Sequence, residues 1–471
     1  MASLAHNATR AAIGAGVDIG INHIKKNPET GITDLMHLLM KYMPSTKEDA
    51  KYTKKGKNAM SNMDRFIDDP NSKWVKYGDA VINDVDARVI KKLALNMAYE
   101  GGYVGLGKAR ELRHKYNRNF PWVLLMDPTS ACNLRCTGCW AAEYGHTLNL
   151  SYELMDDIVK QGKQLGIYFY LFTGGEPLVR KEDIIKLCRA HEDCEFMAFT
   201  NGTLVDEKFC KEMLEVANLT LALSVEGFAP ENDSRRGAGT FDKVMHAMDL
   251  LKQHKLLFGT SICYTKVNCE TVVSDKFLQL LQDKGCKYIW YFHYMPVGNA
   301  ASVDLIPTPE QREYMYHRIR AIRTNDNPVL MMPLDFQNDG EYVGGCIAGG
   351  KNYLHINANG DVEPCVFIHY STANIKNVSL FDALQQPLFN DYHDHQAFNK
   401  NMLRPCPMLE NPGFLRKMVK ETGAKSTDLE SPEDVDHLCD KCVPYAKDWK
   451  PVADKLWTES GHTLPPEGEQ K

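Results

Sequence analysis

Three cysteines within eight residues constrain this chain more than any other feature. Cys132, Cys136 and Cys139 stand in a C-x3-C-x2-C spacing inside residues 127–145, DPTSACNLRCTGCWAAEYG. The apolar run 122–126 precedes them and reads as a buried strand, so the thiols sit on a loop leaving a strand end. Three thiolates on one short loop can hold three irons of a 4Fe–4S cluster and leave the fourth iron without a protein ligand. An open iron is a place for a small molecule to bind and react. The competing reading is a structural zinc site, which needs a fourth ligand; His146 is the nearby candidate.

The setting favours metal over disulfide. The chain has 471 residues, enough for two or three domains and a core of ordinary size, and is 44% hydrophobic and 25% charged. Residues 11–21 are broken by Asp18 and three glycines, so no signal peptide is expected, and no apolar run of about 18 residues predicts a membrane span. A cytoplasmic location follows, where thiols stay reduced and clustered cysteines bind metal. The net charge of −6 is uneven: residues 1–118 carry 20 Lys+Arg against 13 Asp+Glu, a net +7, leaving −13 for the rest. A solvated helical face explains the basic region most simply; an acidic partner or membrane surface is the other reading. No nucleic-acid partner is expected.

Residues 1–118 read as a helical region without a chemical motif. Leu35, Leu38, Leu39, Tyr42 and Met43 recur at helical spacing, and Val81, Val85, Val89, Ile90, Leu93, Leu95 and Met97 do so less strictly before Gly101-Gly102. The basic stretch 51–57, KYTKKGK, links the two pieces. From Trp122 the texture changes. Strands are predicted at 122–126, 167–172, 196–200, 219–224, 257–265 and 287–294, with helices at 152–165, 181–191, 206–215, 241–254, 271–284 and 309–323. Six strands, each followed by a helix, predict an α/β fold with a parallel sheet: a partial (β/α)6 TIM-like barrel over 119–325, open along one side. A small cysteine-rich domain is expected over 326–471. It contains a hairpin at 353–365 turning at Asn359-Gly360, and its tail from Thr463 reads as disordered.

In parallel βα folds ligands sit at the carboxyl ends of strands, and the unusual residues fall there. Thr173-Gly174-Gly175-Glu176-Pro177 follows the second strand, where adjacent glycines allow close backbone approach. Thr200-Asn201-Gly202-Thr203 follows the third. Ser224 and Glu226 end the fourth, before Asn232-Asp233-Ser234-Arg235-Arg236-Gly237. Hydroxyls and a carboxylate suit ribose, and an arginine suits a free carboxylate. These groups fit a ligand with an amino-acid end and a nucleoside end, such as S-adenosylmethionine. With C-x3-C-x2-C, GGEP, the TNG turn and SVEG…DSRRG…TF, residues 119–325 resemble a radical S-adenosylmethionine (SAM) core. The resemblance implies an electron passing from cluster to sulfonium, cleavage of S–C5′, and a 5′-deoxyadenosyl radical that takes hydrogen from the substrate. By position it places Cys132, Cys136 and Cys139 on the cluster, and Gly174, Gly175 and Glu176 near the methionine amino group. Ser224 and Glu226 fall near the ribose, Arg236 near the carboxylate, Trp140 near the adenine, and Asn201 in the same set.

Five cysteines remain near the C-terminus: Cys346, Cys365, Cys406, Cys439 and Cys442. The form C-x13-G-x4-C followed by C-x2-C resembles the twitch and SPASM extensions of radical SAM enzymes, which hold auxiliary 4Fe–4S clusters. It implies one auxiliary cluster on Cys346, Cys365, Cys439 and Cys442, with Cys406 competing for a place; four-cysteine zinc is the alternative. Cys188, Cys194, Cys210, Cys263, Cys269 and Cys286 read as small buried hydrophobes. In the aromatic run 288–294, the face Ile289, Tyr291 and His293 is expected to point into the barrel. His293, Asp335 and Glu363 are candidate acid–base groups. The expected activity is hydrogen abstraction followed by oxidation or bond formation, on a peptide or protein side chain first and a lipid or other small molecule second. A ferredoxin- or flavodoxin-like protein is the expected electron donor. The alternative class is a non-catalytic iron–sulfur or zinc-binding electron-transfer or scaffold protein.

Overall fold

A computed structural model describes residues 4–27, 33–34, 69 and 71–464. The expected helix through Leu35 to Met43, the basic stretch 51–57 and the tail from residue 465 lie outside the described residues.

Eight parallel strands and one antiparallel strand form a single sheet. They are β1 (Val123–Met126), β2 (Phe169–Phe172), β3 (Glu195–Thr200), β4 (Leu219–Ser224), β5 (Phe258–Tyr264), β6 (Tyr288–His293), β7 (Met332–Asp335), β8 (Tyr353–Ile356) and β9 (Val362–Glu363). The spatial order is β7-β6-β5-β4-β3-β2-β1-β8-β9. β1 and β2 are buried at every position, as apolar parallel strands covered on both faces must be.

Helices α1 (Leu4–Lys26), α2 (Lys73–Asp84), α3 (Ala87–Leu93) and α4 (Leu106–Tyr116) precede the sheet. The six expected βα units follow, with α5 (Tyr152–Gln164), α6 (Lys181–Ala190), α7 (Glu207–Val216), α8 (Ala229–Arg236), α9 (Thr240–Gln253), α10 (Asp275–Asp283) and α11 (Pro309–Arg323). Side-chain caps fix several helix starts. Ser151, Asp206 and Ser274 each accept a backbone N–H, and Thr308 and Gln311 form a reciprocal capping box. These caps close the βα loops, so the strand ends keep a defined shape.

Three features depart from the sequence reading. Residues 229–236, for which the sequence reading predicts no helix, form α8. The helix through Leu95 and Met97 does not stop at Gly101-Gly102; it widens into a π-helical segment, Ala94–Gly105, that runs on into α4. The sheet also continues past residue 325. β7 pairs with β6, and β8 pairs with β1, so the cysteine-rich segment supplies strands at both margins of the barrel sheet. Neither strand advertises itself. β7 holds Pro333, which an edge strand tolerates, and β8 holds the polar His355. The hairpin between β8 and β9 forms as predicted.

The core lies in two layers. One packs the sheet against its outer helices. The other fills the barrel from within and continues through Cys439, Cys442 and Trp449 of the C-terminal helix Val435–Glu459. No helix among the described residues is long and apolar enough to cross a membrane.

Candidate active site

The carboxyl ends of the strands open on one chamber of about 940 Å³. The loop after β1 brings Cys132, Cys136 and Cys139 to its wall, with Trp140 directly after them. Gly174, Gly175 and Glu176 reach it after β2, Asn201 after β3, Ser224 from β4, and Arg236 from α8. Nearly all of the expected strand-end set therefore meets in one place.

The geometry refines several reasons. A side chain at Gly174 would lie 2.4 Å from the carbonyl oxygen of Thr129, and one at Gly175 would lie 2.3 Å from that of Ala131. The glycines are thus required first by the backbone before the cluster loop, and only then by a ligand. Glu176 is buried, and its carboxylate accepts from Thr200 Oγ1 (2.6 Å), Asn201 N (2.7 Å) and Leu178 N (3.0 Å). It ties the end of β2 to that of β3. Asn201 donates to Asn133 Oδ1 at 2.8 Å, which links the third strand end to the cluster loop.

Glu226 does not line the chamber. Its carboxylate is fully buried behind Arg235 and Arg236, accepting from Arg235 Nη1 (2.5 Å), Arg236 Nε (2.9 Å) and the backbone N–H of Cys263 (3.0 Å). In place of the expected approach to ribose, it anchors two guanidinium groups against β5. Sequence reading missed Arg235, which lines the chamber. Its Nε donates to Thr137 O, and its own carbonyl accepts from Thr137 N, so it staples the cluster loop to α8. The only signal was the Arg235-Arg236 doublet, from which one member was chosen.

Burial pushes the Cys132 thiol up to about 11, and raises Cys139 against the pull of Arg235 and Arg236. Arg236 Nη1 stands 4.0 Å from Cys136 Sγ. Protonated thiols in this pocket become ligands only where positive charge compensates, which the two arginines and a metal centre together supply.

The expected inward face of β6 is the wrong alternate. Tyr288, Trp290 and Phe292 line the chamber, while Ile289 and Tyr291 pack outward, the Tyr291 hydroxyl donating to Val272 O. Both faces are apolar, and the outward face is the more buried because helices cover it while the inward face borders a void. His293 does reach the chamber. Its Nδ1 is 2.7 Å from Tyr294 O and its Nε2 is 2.9 Å from the Tyr445 hydroxyl, so both ring nitrogens are engaged. Burial holds it neutral.

Cys346, Cys365 and Cys406 line the same chamber from its far side. Cys439 and Cys442 are buried on the C-terminal helix. Tyr392 belongs to the same buried cluster as these cysteines. Its buried hydroxyl has no partner, and its pKa is raised by burial and then by the charges of Cys346, Cys365, Cys406 and Cys439. The Tyr353 hydroxyl donates to Cys365 Sγ at 2.7 Å, and the backbone N–H groups of Met408 and Leu409 each reach Cys406 Sγ at 3.4 Å. Soft sulfur donors supported by N–H and O–H donors suit an iron–sulfur cluster.

A buried polar cluster joins the two halves. His355 lies between Asp127 Oδ1 (3.0 Å) and Glu363 Oε2 (2.6 Å). Glu363 also accepts from Tyr144 (2.7 Å) and Asn357 (2.8 Å), so it holds the fold together and has no free edge for proton transfer. Trp140 packs edge-on to His355 and to His369, at 5.8 and 6.0 Å between centroids.

Residues 126–281 match the family described as the Radical SAM superfamily, and residues 346–408 match the SPASM iron–sulfur cluster-binding domain. The second match includes Cys346, Cys365 and Cys406. The Fe-coproporphyrin III synthase of Methanosarcina barkeri (strain Fusaro) is 25% identical over 235 residues, 47% of this chain and 57% of the relative. The mycofactocin maturase MftC of Mycobacterium tuberculosis (strain H37Rv) is 26% identical over 292 residues, 57% of this chain and 73% of the relative. In fold the chain is similar to Streptococcus suis SuiB bound to precursor peptide SuiA, with TM-score 0.53, 18% identity, and coverage of 71% of this chain and 81% of that one. The non-catalytic and zinc-binding alternatives are not favoured. The chain thus carries a radical SAM domain, the domain type of enzymes that use a 4Fe–4S cluster and SAM, followed by a SPASM iron–sulfur cluster-binding domain.

Proposed function

We propose that this chain removes a hydrogen atom from an unactivated C–H group held in the chamber and completes a net oxidation of that substrate. The observation that carries this reading is one chamber lined by two thiol sets, Cys132, Cys136 and Cys139 on one side and Cys346, Cys365 and Cys406 on the other. When bound, the cofactors supply a 5′-deoxyadenosyl radical and an electron sink.

The chain's own residues bind and orient. Cys132, Cys136 and Cys139 hold the first cluster. Gly174, Gly175 and Glu176 receive the methionine amino group, Arg236 its carboxylate, Ser224 and Asn201 the ribose side, and Trp140 the adenine. Glu226 acts through Arg235 and Arg236 as a positioning residue. For the auxiliary cluster, Cys346, Cys365 and Cys406 share the chamber lining and the matched SPASM segment, and Cys439 of the C-terminal helix is the proposed fourth ligand, with Cys406 in the place first given to Cys442. Asp335 lines the chamber, and its carboxyl is pushed up to about 6 by burial and the neighbouring Asp339, which suits it to accept the substrate's proton.

The maturase and peptide-bound relatives support a peptide or protein side chain; the synthase relative supports a different small molecule. The lining of Trp290, Phe292, Leu125 and Leu171 supports an apolar group in either case. A low-potential donor of ferredoxin or flavodoxin type fits the chemistry. A reducing, cytoplasmic setting fits cysteines that must stay out of disulfides to hold iron. Anaerobically reconstituted protein given SAM and dithionite is expected to release 5′-deoxyadenosine and methionine. No 5′-deoxyadenosine from protein with its full iron complement overturns the reading.

A further inference from the structure

The barrel has a second cavity at its other end. It is about 430 Å³ and is lined by Tyr77 and Val81 of α2, Leu93 of α3, and the strand starts at Thr220 and Leu257. The N-terminal helices thus make the floor of the barrel. Met97, Phe169, Met197 and Tyr288 line both this cavity and the upper chamber, so those four side chains form a waist between them.

One carboxyl group faces the floor cavity. Glu195 is 1% exposed, and its Oε1 has no partner. Asn96 Nδ2 is 3.4 Å from its other oxygen. Burial pushes the carboxyl up to about 8, so at neutral pH it carries a proton it can donate. An unpartnered buried carboxyl beside an apolar space is unfavourable unless something pairs with it.

Above the waist, the walls are Leu125, Leu171, Phe199, Trp290 and Phe292. Along these five side chains a peptide's backbone donors and acceptors find no partner; the chamber's polar residues, among them Arg323, Asp335, Gln337 and Asp339, make up other parts of its lining. A hydrocarbon brings neither donor nor acceptor. From Phe169 at the waist to Thr173 at the cofactor end is four strand residues, about 13 Å.

We propose that the floor cavity and the chamber form one tunnel for a long-chain amphiphile with a neutral, oxygen-containing head. The head pairs with Glu195, and the chain passes the waist so that one of its methylenes lies beside the cluster loop. This rests on the hydrogen-abstraction reading and names its substrate class. It also gives the N-terminal helices a task.

The test is equilibrium dialysis of radiolabelled 1-monooleoylglycerol, at monomeric concentrations, against the iron-loaded full chain without reductant. Saturable one-to-one binding is expected. Val81→Trp fills the floor and is expected to weaken binding at least tenfold, and Met197→Trp closes the waist with the same result. Glu195→Leu is expected to weaken it about threefold to tenfold, the worth of one hydrogen bond, while Glu195→Gln retains it because an amide also donates. Circular dichroism confirms that each variant is folded. Absence of saturable binding, or undiminished binding by folded Val81→Trp and Met197→Trp proteins, overturns the proposal. So does tight binding of an apolar decapeptide that neither tryptophan disturbs. Because dialysis needs no turnover, a protein that makes 5′-deoxyadenosine but binds no monooleoylglycerol loses the tunnel and keeps the reaction.

Discussion

Arg312 and Glu410 form an ion pair that water does not reach: Nη1 donates to Oε1 at 2.6 Å, and both side chains are fully buried. The second carboxylate oxygen accepts from the backbone N–H of Cys406 at 2.7 Å. Arg312 also donates to Asn338 and lies over the Trp449 ring. One pair therefore couples α11 to the loop that presents a candidate auxiliary thiol and to the C-terminal helix.

Breaking this pair from one side leaves a buried charge. Glu410→Ala is expected to destabilise the chain by about 3–5 kcal/mol, measured by urea unfolding. It should also lower the iron content of the auxiliary site, because the Cys406 loop loses its anchor. Unchanged stability and unchanged iron in the purified variant would show that the pair neither supports the fold nor holds that loop.

Iron counting decides the auxiliary ligands. With Cys132, Cys136 and Cys139 all replaced by alanine, about four irons are expected to remain per chain. On that background, Cys406→Ala is expected to remove them and Cys442→Ala to leave them. The reverse result restores the ligand set that ends in the C-x2-C pair. Zinc in place of iron refutes the auxiliary cluster.

His355 makes stability depend on pH. Burial lowers its pKa, but Asp127 and Glu363 more than reverse this and carry it up to about 10. A histidine raised above its unfolded value of about 6.5 contributes stability that is fully present below that value and is lost as pH rises through about 10. Unfolding measured from pH 6 to 10.5 is expected to show a fall on the order of a few kcal/mol, and His355→Gln should flatten it. A wild-type curve no steeper than the variant's would mean that the imidazole is not held as a cation.

The first cluster loop offers a narrower test. Arg235 touches the loop, whereas Arg236 is the residue proposed to meet the SAM carboxylate. Arg236→Lys keeps the charge but loses the fork, and is expected to raise the KM for SAM about tenfold or more with iron content unchanged. Arg235→Lys is expected to act on iron retention before SAM affinity. If the two variants cannot be told apart, the division of labour between the arginines is wrong.

What could be read along the chain was local. The period-3.6 faces gave α5 to α7 and α9 to α11 to within a few residues, and unbroken apolar runs gave β1 to β6, because each depends on neighbours a few positions away; the short, polar α8 has no such apolar face and is not among the predicted helices. The cysteine triplet and Gly174-Gly175-Glu176 were legible for the same reason. Their chemistry needs those residue types at those spacings, wherever the rest of the chain goes.

What only tertiary packing decided was partnership at a distance. The face of β6 that borders the chamber depends on which side the helices cover, and both sides carry large apolar residues in sequence. The burial of Glu226 depends on Arg235, Arg236 and β5 closing around it. β8 pairs with β1 across 226 intervening residues, from Met126 to Tyr353, and that pairing brings the second thiol set to the first one's chamber. The sequence by itself determined that a radical SAM barrel with further cysteines would form. Packing between distant segments determined that the two thiol sets share one apolar space, because burial and charge pairing belong to the surface each segment meets and are not written in the segment.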